Sequence, residues 1–145
     1  MDSWREDIAA ACGESRPENL LYIMFAHTDT SQAKGREFLG RFLERRDRDT
    51  PTNDTARNAE YDAVVGWGIP DYGALQRLTG ISSPTLILRG DNDLMIPTRV
   101  SHLLAGLIPE EPIRIYPDAA HGFLFQYPTD VAAVINEFLA TNRGS

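Results

Sequence analysis

Two short stretches carry residue types that move protons. LILRGDNDLMIP, residues 86–97, sets Asp91 and Asp93 directly after an apolar run. YPDAAHGFLFQYP, residues 116–128, sets His121 in a turn after another. An aspartate and a histidine have a specific joint use. A carboxylate that accepts from one ring nitrogen fixes the imidazole tautomer, and it stabilises the imidazolium formed when the other nitrogen takes a proton. Together they make a general base with its orienting acid. Taken singly, each residue reads as structure: an Asp that bonds the amides of its own turn, a His that bonds its own loop.

Whether they meet depends on the elements that carry them. Pro84 precedes TLILR, a compact run of β-formers closed by Gly90, which predicts a buried strand. Thr98 is expected to cap a helix with Val100, Leu103, Leu104 and Leu107 inward. IRIY, 113–116, reads as a second strand. Thr129 is expected to cap a last helix with Val131, Val134, Ile135, Phe138 and Leu139 on one side. Strand, helix, strand, helix predicts a right-handed parallel crossover. Loops after parallel strands gather on the carboxyl edge of the sheet, where open α/β sheets place their ligands. Neighbouring strands lie about 4.8 Å apart, so Asp93 and His121 come within hydrogen-bond reach if the two strands are adjacent.

The first eighty residues read as mainly helical. Ser3 and Glu6 suggest a capping box for a short helix that Gly13 ends. PENLLYIMFA, 17–26, has no clean period and is open to either strand or buried helix. A helix is expected from about Ser31 to Arg48, with Phe38, Leu39, Phe42 and Leu43 as its apolar stripe. Asn53 or Asp54 caps the next, which runs to about Val65, and Asp71 caps a short one carrying Leu75 and Leu78.

PTLILRGDNDLMIP, then RIYPDAAHGFLFQYP and an amphipathic last helix, together resemble the C-terminal part of the α/β-hydrolase fold family. The family's acid lies in a G-x-x-D-x-x-x-P arrangement, which Gly90, Asp93 and Pro97 match, and its base lies in a His-Gly or His-Phe loop, which His121-Gly122 matches. The resemblance assigns the acid to Asp93 and leaves Asp91 to bond its turn. It implies an α/β fold with an incomplete parallel sheet. Residues 1–80 would form a helical, lid-like segment, and residues 81–145 the part of the core with the acid and base loops. It implies hydrolysis of an ester or related bond in a small apolar substrate, with no cofactor and no metal. GFLF, Trp67, Tyr72 and Tyr127 could wall a pocket, or simply pack the core.

The family's nucleophile sits on a sharp G-x-S-x-G elbow between strand and helix, and no G-x-S-x-G occurs here. Ser82 and Ser83 abut Pro84, Ser101 falls within a helix, and Cys12 is followed closely by the bulky Glu14. LLYIMFAHTDTSQAKG could form an elbow with Thr28 or Asp29 at its tip, although His27 is large for so tight an approach. The lid reading explains that stretch without chemistry and leaves His27 and His102 as ordinary polar residues. Two triad roles are thus expected without a nucleophile or an oxyanion hole. Isolated activity near background and an exposed sheet edge follow, the latter suited to self-association or to a complementing chain. A non-catalytic binding or assembly module is the alternative. A small flavodoxin-like domain is a weaker one, since no glycine-rich phosphate loop follows a first strand.

Composition narrows the partners. A net charge of −7, from 14 basic and 21 acidic residues, disfavours nucleic acid and anionic membranes. The basic cluster Arg41, Arg45, Arg46 and Arg48 is interleaved with Glu44, Asp47 and Asp49, as on a solvated helix face. A single cysteine excludes an internal disulfide and a cysteine-rich zinc site. No apolar run nears the ~20 residues of a membrane span, and the N-terminus is unlike a signal peptide, so a cytoplasmic location is expected.

Overall fold

The structure, a computed structural model, describes residues 17–47, 50, 52–69, 71–109 and 112–142, with Trp67 described by its backbone alone. The expected features at Ser3, Glu6, Cys12 and Gly13, and at Arg48 and Asp49, lie outside the described residues.

PENLLYIM settles as a helix, α1 (Pro17–Met24). Proline is tolerated there because the first turn has no use for its missing N–H. α2 (Asp29–Glu44) starts two residues before the expected Ser31, because Thr28 accepts from the Ser31 amide as N-cap. Its stripe is only half used: Leu39 is buried, while Phe42 and Leu43 are about half exposed. α3 (Asp54–Trp67) is capped by Asn53 and α4 (Tyr72–Arg77) by Asp71, and a 3-10 turn at Leu78–Gly80 follows.

The second half has the expected order. β1 (Ile87–Gly90), α5 (Thr98–Leu107), β2 (Ile113–Tyr116), a short α6 (Phe123–Gln126) and α7 (Pro128–Thr141) follow in turn. β1 and β2 are parallel neighbours, with Ile87 opposite Ile113 and Gly90 opposite Tyr116. Ile87 and Asp91 donate their amides to Pro112 and Tyr116. A strand residue turns its N–H and C=O to one side, so Leu88 between them faces the outer edge, where no described strand lies.

Two expected caps are corrected. Pro97, not Thr98, is the N-cap of α5, because the Thr98 hydroxyl is drawn 2.8 Å to the Gly90 carbonyl across the loop. Tyr127, not Thr129, is the N-cap of α7, because Pro128 with its fixed φ starts the helix. The inward stripes are narrower than expected as well: Leu103, Ile135 and Leu139 are exposed. Two strands offer too little sheet to cover them.

The core has two parts. Tyr116, Ala119 and Val131 are buried with Leu88, Phe123 and Tyr127 around them. Phe25, fully enclosed, meets Phe38, which stacks 4.2 Å from Phe125.

Candidate active site

Asp93 and His121 do meet. His121 Nδ1 lies 3.0 Å from Asp93 Oδ2, on loops that follow adjacent parallel strands. The Asp93 side chain is fully buried, and that of His121 is 30% exposed. An ionised carboxylate only accepts, so Nδ1 is the protonated nitrogen and Nε2 carries the free lone pair. Among the described residues Nε2 has no hydrogen-bond partner.

The acid loop is built around the carboxylate. Asp93 Oδ1 accepts from the amides of Met95 and Ile96, both at 2.9 Å. Oδ2 is shared between His121 and Arg89, whose Nη1 lies 2.8 Å away. Burial on its own would raise the Asp93 pKa, but the bonds from His121, the Ile96 amide and Arg89 outweigh it and hold the carboxyl below its ordinary value.

Gly90 lets the base loop come close. A Cβ there would sit 2.2 Å from the Ala119 carbonyl oxygen and 2.4 Å from that of Ala120. The Asn92 amide donates to Ala119 O at 2.8 Å, and Asp91 Oδ1 accepts from the Ala119 amide at 3.1 Å. Asp91 therefore stitches the acid loop to the base loop and has no bond to His121. The base loop turns at Asp118, whose φ of 53° is a left-handed conformation that Asp tolerates better than most residues.

The base loop is also held from the other side, which sequence reasoning missed. Ser31, fully buried, accepts from the Ala26 amide and donates to Gln126 Oε1 at 2.7 Å. Gln126 Nε2 donates to the Asp118 carbonyl, and the Thr28 hydroxyl donates to Asp118 Oδ1 at 2.6 Å. The Gly122 amide donates to Met24 O. The only signal in the sequence was a run of small polar residues at a helix start, which looks like capping alone.

The elbow considered at Thr28 or Asp29 is absent: α1 is a helix where a strand is required, and Thr28 caps α2. His27 bonds the Tyr22 carbonyl, and His102 is exposed on α5. Ser31 and Ser101 are fully buried with their hydroxyls engaged, by Gln126 and by Arg89 Nε. Ser82 and Ser83 are exposed and precede β1, away from its carboxyl end. No described group of three or more His, Cys, Asp or Glu is placed to hold a metal. No described helix is long and apolar enough to cross a membrane.

A cleft of about 360 Å³ opens beside Asp93. Phe25, Leu94 and Pro97 give it apolar wall, and Asp91, Arg99 and His27 also border it. Of the two roles open to the aromatics, these take the packing one: Phe123 and Tyr127 lie against Tyr116, and Phe125 against Phe38. Tyr72 is 80% exposed. The Trp67 side chain is outside the described residues.

No protein-family profile matches the chain. A poly(3-hydroxyalkanoate) depolymerase from Ectopseudomonas oleovorans is 37% identical over 81 residues, which is 56% of this chain and 26% of that protein. An α/β hydrolase fold protein from Chitinophaga pinensis superposes with a TM-score of 0.81 at 33% identity, over 94% of this chain and 50% of that one. A thermophilic esterase from Thermogutta terrifontis has a TM-score of 0.61 at 20% identity, over 97% of this chain and 50% of that one, a likeness of fold alone. The chain spans about half the length of these solved structures. With its parallel strand pair and its helices in the expected order, the chain has the fold of part of an α/β hydrolase and is similar to members of that fold family.

Proposed function

We propose that this chain supplies the acid and the base of a hydrolase active site, acting on an ester or related bond in a small, fairly apolar substrate. The observation that carries the reading is the 3.0 Å contact of His121 Nδ1 with the buried Asp93 carboxylate, at the carboxyl edge of two adjacent parallel strands. His121 Nε2 accepts the proton of an attacking hydroxyl, Asp93 stabilises the imidazolium, and the ring returns that proton to the departing alcohol. The hydroxyl and the oxyanion donors come from polypeptide beyond these 145 residues, since no G-x-S-x-G is present in them. The outer edge of β1, bare at Leu88, is the proposed seam with that polypeptide. Residues 1–80 act as a lid, with α3 and α4 its outlying part. Ester chemistry is favoured by the depolymerase relative, since a poly(3-hydroxyalkanoate) is a polyester. The lone cysteine fits a cytoplasmic setting.

The test measures turnover of p-nitrophenyl esters by the purified chain, alone and mixed with the N-terminal half of the Chitinophaga pinensis protein. Background turnover alone, and complemented turnover that falls about 10⁶-fold with His121→Ala, is the expected result. Turnover by the chain alone would overturn the missing-nucleophile reading. A complex that forms yet hydrolyses nothing would favour the non-catalytic assembly module.

A further inference from the structure

Arg89 has no part in the scheme above, yet it sits at the centre of the site. It lies in β1, its side chain is only 16% exposed, and its guanidinium is held at two points. Nη1 donates to Asp93 Oδ2 at 2.8 Å, and Nε donates to the buried Ser101 hydroxyl at 3.1 Å. Ser101 comes from α5, so the head group is pinned between strand, helix and carboxylate. The oxygen it takes is the one that His121 Nδ1 uses.

Two donors on one carboxylate oxygen compete. While the ring is neutral, Arg89 and Asp93 cancel each other's charge beside it. When the ring gains a proton, the imidazolium must share that oxygen with a fixed cation and is repelled by it. We propose that Arg89 is a positioning residue for the acid–base pair: it holds Asp93 in one orientation and limits how strongly that carboxylate draws a second proton onto His121. The inference builds on the acid–base reading of Asp93 and His121. Its consequence is a base that stays unprotonated, and so competent, to lower pH than the same pair without the arginine. Other charged or titratable groups nearby are Asp91, Arg99 and His27, which border the adjacent cleft, and Asp118 in the His121 loop, which accepts from the Thr28 hydroxyl. Asp91 is bonded to the Ala119 amide and His27 to the Tyr22 carbonyl, and neither bonds Asp93.

The test follows the His121 ring by NMR across a pH series in the whole chain. In Arg89→Met the midpoint of the ring titration should rise by about one unit, a tenfold gain in proton affinity. Arg89→Lys, which keeps the charge, should restore most of the difference. Ser101→Ala, which frees Nε and leaves every charge in place, should move the midpoint the same way by less, and it decides the matter if Arg89→Met does not fold. An unmoved or lowered midpoint in a folded Arg89→Met or Ser101→Ala chain would overturn the proposal. This readout needs no turnover, so it can fail or succeed independently of the complementation experiment.

Discussion

The loops after β1 and β2 and the helix α3 are held in opposite ways. Around Asp93 and His121 several polar groups have partners from a distant part of the chain: Asp93 with His121, Ala119 with Asp91 and Asn92, Ser31 with Gln126, Thr28 with Asp118. α3 is held by its own local bonds, the Asn53 cap and the Arg57–Asp54 pair among them. None of its described side chains is buried, and Tyr61, Val64 and Val65 stand 40–43% exposed. A site that moves protons tolerates little positional error. The chain concentrates its long-range bonds there and leaves the outlying helix with few constraints.

The contrast can be broken first at Gly90. Gly90→Val places a side chain on the Ala119 and Ala120 carbonyls, backbone atoms that cannot swing aside. Loss of cooperative unfolding is expected, read as a collapsed, poorly dispersed amide NMR spectrum; a native spectrum would mean that the two loops are not locked together. Next in size is Gln126→Leu, which strands the fully buried Ser31 hydroxyl and the Asp118 carbonyl. It should cost ~1–3 kcal/mol in a denaturant titration. A cost within error would make the Thr28–Ser31–Gln126–Asp118 ring ornamental.

Acid tests the same region more gently. Asp93 has a lowered pKa in the folded chain. Its ionised form therefore contributes stability that is present above the ordinary aspartate value of 3.8 and is lost as the pH falls from there through the lowered folded value. The difference in denaturation midpoint between the unsubstituted chain and Asp93→Asn should shrink across that window; a constant difference would contradict the linkage. The smallest effect belongs to α3: Val64→Ser should change stability by less than about 0.5 kcal/mol. A larger loss would reveal a partner for that face.

Much of the site was legible because its signals are local. TLILRG and IRIY declare strands by β-formers and flanking breakers, and Asp93 and His121 follow them at turn positions. Asp71 was readable as a cap for the same reason, and Asn53 as one of two candidates beside Asp54, since each bonds an amide three residues on. What escaped was non-local. Thr98 has the side chain of a cap, but its hydroxyl belongs to Gly90 O, eight residues back. Ser31 and Gln126 are 95 residues apart. Arg89 looks like the solvent-facing end of a strand, and only the fold turns it inward onto Asp93 and Ser101. PENLLYIM stayed open because an apolar run of that length suits either period, and tertiary packing against α2 decided it.

The central claim is that a buried carboxylate holds one nitrogen of His121 and leaves the other free for a proton. A long-range proton–nitrogen NMR spectrum of the ring, recorded above its titration, reads this directly. The proton should reside on Nδ1 in the unsubstituted chain, with Nε2 bare, and that preference should disappear in Asp93→Asn. A ring protonated at Nε2, or one indifferent to Asp93→Asn, would contradict it.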